Sequence, residues 1–285
     1  MPTFIQVLIL AIVQGACELL PVSSSAHVII AEKIMGLHPA APEMTMLLVM
    51  LHTGTMFAVI VYFWKGWKRD YFTSVKKLRD FVTQIIIASF FTGIVGLGLI
   101  ELIEKVFMHG TKNAQVESLF SNLPLIAIAL AVVGILIIYS GKRELKIKHI
   151  DEIKSKHSIW IGIVQGLAIP FRGFSRSGST ISTGLLFGLN KQKLEEFSFA
   201  LAVVLTPPAI AREAYRLLKD HSLRGHVSPL HLFIPGIVGM IFSFIAGLLA
   251  LKLLSRWLEN GRWQWFGYYC IFASIGVLLF YLKLF

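Results

Sequence analysis

Apolar residues run through this chain in long stretches separated by short polar ones. Six stretches approach the roughly 20 residues that a helix needs to cross a bilayer. They are about Met44–Trp64, Thr83–Ile103, Leu123–Tyr139, Leu194–Leu217, Leu230–Leu253 and Trp265–Phe285. Two regions break the pattern. In the first, Phe4–Val13 is a short apolar run, Gln14, Glu18, Pro21 and three serines follow, and Val28–Leu37 resumes the apolar character. In the second, Ile159–Leu167 leads into Pro170, Arg172 and a Ser/Gly cluster, and Ile181–Leu189 completes it. Apolar runs of about 10–14 residues suit re-entrant segments rather than spans. A helix–break–helix hairpin is tolerated at membrane depth only where the broken backbone faces protein or water. The pattern predicts an all-α integral membrane protein with six transmembrane helices and two re-entrant helical hairpins, in one polytopic domain over residues 1–285.

Ile12-Val13-Gln14-Gly15 recurs as Ile163-Val164-Gln165-Gly166, and a Ser-rich break follows each copy. Each copy starts with a hairpin and continues with three spans, giving repeats at about 1–140 and 157–285. Loop charge orients them. Lys65, Lys68, Arg69, Lys76, Lys77 and Arg79 stand against Asp70, and Lys142–Lys156 is also basic, so both segments are expected inside. The charge-balanced Glu104–Ser121 is expected outside. Lys191, Lys193, Lys252, Arg256 and Arg262 agree with this arrangement, while the loop holding Arg216, Lys219 and Arg224 argues against it. The hairpins then enter from opposite sides, an inverted-topology repeat whose breaks meet near the midplane.

Composition agrees with a membrane chain. Of 285 residues, 55% are hydrophobic and 15% charged, against roughly 25% charged in a soluble domain. The net charge of +11 is scattered through loops without a DNA-binding motif, so it is read as the positive-inside excess and nucleic acid is excluded as a partner. Cys17 and Cys270 have no metal or redox spacing. The first Lys is Lys33, so no basic n-region of a cleaved signal precedes the first helix, which the mature chain is expected to keep.

The two breaks carry the candidate chemistry. Glu18 follows Gln14 by four residues, so both face one side of a helix. A carboxylate on an apolar helix needs a partner, a proton or a cation. Glu18 is expected to hold a divalent cation or to shape the protonation of a neighbour, with Gln14 adding a neutral oxygen ligand or a hydrogen bond; the alternative for Gln14 is a structural bond pinning the hairpin. Pro21 ends one helix, and Ser23, Ser24 and Ser25 open the next, where hydroxyls and free N–H groups cap the helix and bind anions. His27, a turn later, suits a general acid, a base or a nucleophile. In Gly173-Phe174-Ser175-Arg176-Ser177-Gly178-Ser179-Thr180, Arg176 offers a bidentate clamp for two phosphate oxygens. Ser175, Ser177 and Thr180 add hydroxyls, and Gly173 and Gly178 let backbone amides approach. Arg176 has a plainer role too, as the buried ion-pair partner of Glu18; that pair can exist in the empty state and open on substrate binding. His52 and Thr53 line a cavity or pack helices. Trp263, Trp265, Tyr268 and Tyr269 look like an interfacial aromatic belt.

Other phosphate chemistries fit poorly. The chain lacks a G-x-x-x-x-G-K-[ST] loop. Ser175-Arg176 matches the Ser-Arg start of a type-2 phosphatidic-acid phosphatase motif, but Ser182 stands where that family needs His. A rhomboid-type serine protease leaves Arg176 unexplained.

Gln14-Gly15-Ala16-Cys17-Glu18-Leu19-Leu20-Pro21-Val22-Ser23-Ser24-Ser25-Ala26-His27 resembles the first motif of the undecaprenyl-diphosphate phosphatase family, also called the bacitracin-resistance protein family. Arg172-Gly173-Phe174-Ser175-Arg176-Ser177-Gly178-Ser179-Thr180 resembles the second, and Glu196-Phe197-Ser198-Phe199 extends the likeness to essentially the full length. The resemblance implies removal of the terminal phosphate from a C55 polyprenyl diphosphate, so that the cell-wall lipid carrier is recycled. It implies catalytic roles for Glu18, Ser24, His27 and Arg176, and a Mg²⁺ or Ca²⁺ ion with Glu18 and Gln14 as ligands. Ser23, Ser25, Ser175, Ser177, Gly178 and Thr180 are the expected phosphate-binding set. The expected partners are the lipid substrate and the bilayer, a homodimer is left open, and the site is expected on the outer face of the inner (plasma) membrane. Gln14 stands where many members have Glu, and Arg172 where the family has Pro. The alternative from another class is a polyprenyl-phosphate transporter or flippase with weak or no hydrolysis, since inverted repeats with midplane breaks also build transporters.

Overall fold

A computed structural model describes residues 2–37, 42–107, 122–144, 150–219 and 229–283. Ten helices follow one another: α1 Phe4–Leu19, α2 Ser24–Ile34, α3 Pro42–Asp70, α4 Val75–Phe107, α5 Leu123–Glu144, α6 Ser155–Leu167, α7 Arg176–Leu186, α8 Lys191–Lys219, α9 Pro229–Glu259 and α10 Trp263–Lys283. The described residues contain no β-strand. Five helices, α3, α4, α5, α9 and α10, are long and apolar enough to cross a membrane. The sixth expected span falls on α8, whose 29 residues give it the length. Part of its C-terminal half has side chains outside the described residues, and the expected external segment 104–121 is mostly outside them as well.

The two regions with short apolar runs fold as pairs of short helices. At about 1.5 Å per residue, α1 and α6, with 16 and 13 residues, fall short of a core about 30 Å thick. Thr3 starts α1 through a capping box with Gln6. Ser175 starts α7 by accepting from the Gly178 amide at 3.2 Å. The expected serine cap on α2 is absent: Ser23 makes no side-chain cap bond, because its backbone turns into the left-handed region at φ 67°. That conformation points the residue's own carbonyl, rather than its hydroxyl, at the start of the helix.

Glycine sets the spacing between the long helices, as expected where packing rather than water drives association. A Cβ on Gly15 of α1 would lie 2.5 Å from the Ser243 carbonyl of α9, and one on Gly54 of α3 2.3 Å from the Met240 carbonyl. Gly162 of α6 presses on α4, where a Cβ would meet the Ala88 carbonyl at 2.3 Å. Gly134 of α5 and Gly267 of α10 face each other's carbonyl oxygens, at 3.0 and 2.6 Å from the built Cβ positions. Half of the α5 span is buried, against 22% for α4, so α5 is a central helix and α4 a peripheral one. Phe90 and Leu97 on α4 and Phe272 on α10 point outward, as lipid-facing residues do. Trp263 departs from the expected interfacial belt. It is buried, and its indole N–H lies 3.2 Å from Ser140 Oγ and 3.1 Å from Ser182 Oγ, tying α10 to α5 and α7.

Charged residues gather at one end of the bundle. Lys193 pairs with Asp70, Lys191 lies 3.1 Å from Glu144, and the Trp67 indole donates to the Glu196 carbonyl at 3.1 Å. The segment after α7 therefore lies beside the basic ends of α3 and α5, as the loop charges predict.

Gly162→Ala is expected to lower stability in detergent by about 1–3 kcal/mol, because the new methyl drives α6 off the α4 backbone. Gly98→Ala, with open space around its Cβ position, is expected to be neutral or slightly stabilising. Chemical-unfolding midpoints of the two variants make the comparison; equal midpoints would refute the contact.

Candidate active site

The break after α1 and the break before α7 meet. Ser177 Oγ is 3.4 Å from the Leu20 carbonyl, and a Cβ on Gly178 would sit 3.2 Å from the Pro21 carbonyl. Gly173, at φ 102°, passes so close to α5 that a Cβ would lie 2.5 Å from the Ile126 carbonyl. These close approaches bring the last turn of α1 opposite the first turn of α7.

Glu18 is the hub. Arg176 Nη2 donates to its Oε1 at 2.5 Å. Ser24 Oγ donates to its Oε2 at 2.5 Å, and Gln14 Nε2 to the same oxygen at 3.2 Å. His52 of α3 brings its Nε2 to 3.8 Å from Oε2. The Glu18 and Arg176 side chains keep 14% and 29% of their surface exposed, so the pair is largely buried yet open to one side. A carboxylate at this depth is kept by partners on both oxygens.

The expected residues take different places. Gln14, Glu18, Ser24 and Arg176 are joined directly. Ser25 and Ser23 share a hydroxyl contact at 3.3 Å beside them. Ser175 caps α7, and its hydroxyl is 3.4 Å from that of Ser177. Thr180 is buried, with Oγ1 3.0 Å from the Arg176 carbonyl and 2.6 Å from Ser198 Oγ, so it braces the helix that carries the arginine. His27 bonds neither Glu18 nor Arg176. Its Nδ1 is 2.8 Å from the Ser23 carbonyl, and its Nε2 is 2.7 Å from the Tyr269 hydroxyl. Ser23 is the one non-glycine residue with positive φ among those described, and holding it there costs about 1–3 kcal/mol. Arg172, in place of proline, lies within electrostatic reach of buried Glu32 on α2 and adds a second charge contact between the hairpins.

Two contributors escaped the sequence. His52 was assigned only to a cavity wall or a helix contact, and Tyr269 to an aromatic belt. Neither has a motif around it; each reaches the site through tertiary packing, Tyr269 from 242 positions along the chain. The second copy of the short repeat does the opposite. Gln165 is buried and donates to Thr92 Oγ1 of α4 at 2.9 Å, a packing role with no carboxylate beside it.

A divalent cation is also expected here; among the described residues no three His, Cys, Asp or Glu side chains gather to hold one, and Glu18 with His52 is the pair at the site that could ligate it. His52 Nδ1 lies 2.8 Å from the Leu48 carbonyl, an acceptor, so Nδ1 carries the hydrogen. In the neutral ring, Nε2 then turns a lone pair toward Glu18 Oε2. Two facing acceptors call for a proton, a water or a cation between them. Mg²⁺ commonly takes one or two carboxylates and completes its shell with waters and substrate phosphate oxygens.

Arg176→Ala is expected to cost about 2–4 kcal/mol of stability, since it strands Glu18. Adding Glu18→Gln should recover at least half of that loss. Denaturation of both variants in detergent tests the coupling; additive losses would mean that the two side chains do not depend on each other.

Comparison with known proteins gives a consistent result. The family model described as Bacitracin resistance protein BacA matches residues 7–276. A protein of Acinetobacter baylyi named Undecaprenyl-diphosphatase 2 is 55% identical over 278 residues, 96% of each chain. Proteins named Undecaprenyl-diphosphatase from Rhodopirellula baltica and Desulfitobacterium hafniense are 33% and 31% identical, covering 99% and 96% of this chain and 100% and 94% of their own.

Proposed function

The chain belongs to the bacitracin resistance protein BacA family, and from that premise we propose that it is an undecaprenyl-diphosphate phosphatase. It removes the terminal phosphate of the C55 lipid diphosphate and returns the lipid monophosphate carrier to cell-wall synthesis. The observation that carries the reaction is the Ser24 hydroxyl donating to Glu18 Oε2 at 2.5 Å while Arg176 holds Oε1.

The residues divide the work as follows. The incoming diphosphate competes with Glu18 for Arg176, and the guanidinium turns to the terminal phosphate. Glu18, no longer paired with Arg176, keeps Oε2 on the Ser24 hydroxyl. Ser24 Oγ attacks the terminal phosphorus and its proton passes to Glu18 Oε2. The bond from that phosphorus to the bridging oxygen breaks, and the lipid monophosphate leaves with the electron pair. Water then cleaves the phosphoserine, giving inorganic phosphate and restoring Ser24. Arg176, the Ser23 and Ser25 hydroxyls, Ser175, Ser177 and the Gly178 amide are the groups that stabilise charge on the transferred phosphoryl group. A Mg²⁺ or Ca²⁺ ion held by Glu18 and Gln14 would neutralise charge on the diphosphate.

The finer architecture belongs to the same proposal. The contacts of α1 with α9 and of α6 with α4, and the mutual Gly134–Gly267 crossing, suit two inverted repeats with six spans and two re-entrant hairpins. His52 lies 10 residues from the start of α3 and 18 from Asp70, about 15 and 27 Å along its axis. The site is therefore nearer the end opposite the basic one, which supports an active site toward the outer face of the inner membrane.

Detergent-purified protein is expected to release inorganic phosphate from a prenyl diphosphate. Ser24→Ala and Arg176→Ala should each lower kcat by about 100- to 1,000-fold, and EDTA should suppress release until Mg²⁺ or Ca²⁺ is restored. No release from folded wild type under any metal would sink the hydrolase and favour lipid transport without hydrolysis.

A further inference from the structure

The phosphatase scheme leaves the Tyr269 hydroxyl unused, although it is the group closest to the His27 imidazole. Hydrogen-bond logic fixes the state of that ring. The Ser23 carbonyl, 2.8 Å from Nδ1, only accepts, so Nδ1 carries the hydrogen. In the neutral ring Nε2 is then a lone pair, a fit for the Tyr269 hydroxyl 2.7 Å away as donor. The two ring planes are nearly parallel, 15° apart, with centroids 5.6 Å apart. Both ring nitrogens are engaged and the ring plane is set.

The supports of this arrangement are firm on both sides. Ser23 holds a left-handed backbone conformation that aims its carbonyl at Nδ1. Tyr269 stands on α10 between two anchors: Gly267 packs against Gly134 of α5, and Cys270 Sγ lies 3.4 Å from the Pro21 carbonyl at the break itself. The tyrosine side chain is half exposed, so its hydroxyl can rotate off Nε2 while α10 stays in place.

The geometry points to Tyr269 as the positioning residue of His27. Resting on the phosphatase reading, it fixes the orientation of a ring whose Nδ1–H tautomer the Ser23 carbonyl sets, and its hydroxyl releases the Nε2 lone pair by rotating away. Nε2 is thereby reserved to take a proton from the water that cleaves the phosphoserine. Tyr269 acts through His27 and touches no substrate atom, so its contribution falls on turnover and not on binding.

The test uses full-length Tyr269→Phe, which keeps the ring and deletes the donor, with Tyr268→Phe as the neighbouring control. Tyr269→Phe is expected to lower kcat about tenfold and leave KM within about twofold, a fraction of what a general base supplies. Tyr268→Phe should match wild type. In a His27→Ala background, Tyr269→Phe should cost nothing further. ¹⁵N spectra of histidine-labelled protein should show His27 as the Nδ1–H tautomer in wild type and in Tyr269→Phe, with the Nε2 resonance shifted in the variant because its hydrogen bond is gone. An unchanged kcat with an unchanged Nε2 resonance overturns the assignment, and so does an equal loss in the His27→Ala background. If wild type itself releases no phosphate, the phosphatase reading fails, while the spectra still decide whether Tyr269 bonds and orients His27.

Discussion

A carboxylate and a guanidinium buried between two short hairpins organise this molecule. Glu18 lies in the last turn of α1 and Arg176 in the first turn of α7, at 2.5 Å from each other. Neither charge is tolerable alone at this depth. Their mutual need therefore specifies how the two halves of the chain meet. The same need makes the contact exchangeable, because a phosphate satisfies the arginine as well as the carboxylate does.

That exchange requires hairpins held rigidly enough to keep the breaks opposed once the pair opens. Glycine supplies the rigidity. Gly15 and Gly54 lock α1 and α3 onto α9, Gly162 locks α6 onto α4, and Gly134 with Gly267 locks α5 onto α10. Close backbone approach replaces the hydrophobic drive that a soluble core would use. Thr180, bonded to the Arg176 carbonyl and to Ser198 on α8, carries the bracing to the arginine's own turn. The buried Trp263 indole does the same between α5, α7 and α10.

Much of this was legible from residue order. Apolar run lengths separate α1 and α6 from the long helices, and loop charge anticipates that Lys193 lies beside Asp70. The Gln14–Glu18 spacing, the three serines and the Ser-Arg-Ser motif mark the groups that meet at Glu18. The Glu18–Arg176 pair could be written down before any coordinates, since each is too costly in lipid without an opposite charge. Four features were not legible. Ser23 adopts a conformation that serine seldom takes, so local preference assigns it to capping instead. His52 and Tyr269 are isolated polar residues on apolar helices. Their partners are set by how helices cross, and helix crossing leaves no local pattern. Trp263 was misjudged for the same reason, because an aromatic at a helix start looks interfacial until the neighbouring helices are in place.

The arrangement also separates two tasks that one residue often combines. Ser24 shares its proton with Glu18, while His27 is held apart by Ser23 and Tyr269. In the proposed mechanism the carboxylate partnered by arginine is a poor base until the diphosphate draws the arginine away, so substrate binding triggers the first step. In the same proposal the His27 imidazole, oriented by Ser23 and Tyr269, serves the second step. In that reading, substrate-gated activation of Glu18 would limit idle attack by Ser24 on whatever else enters the cavity. A standing base at His27 then suits the water reaction that frees the enzyme. Ordering the two steps in this way follows from which partner each group has in the resting structure.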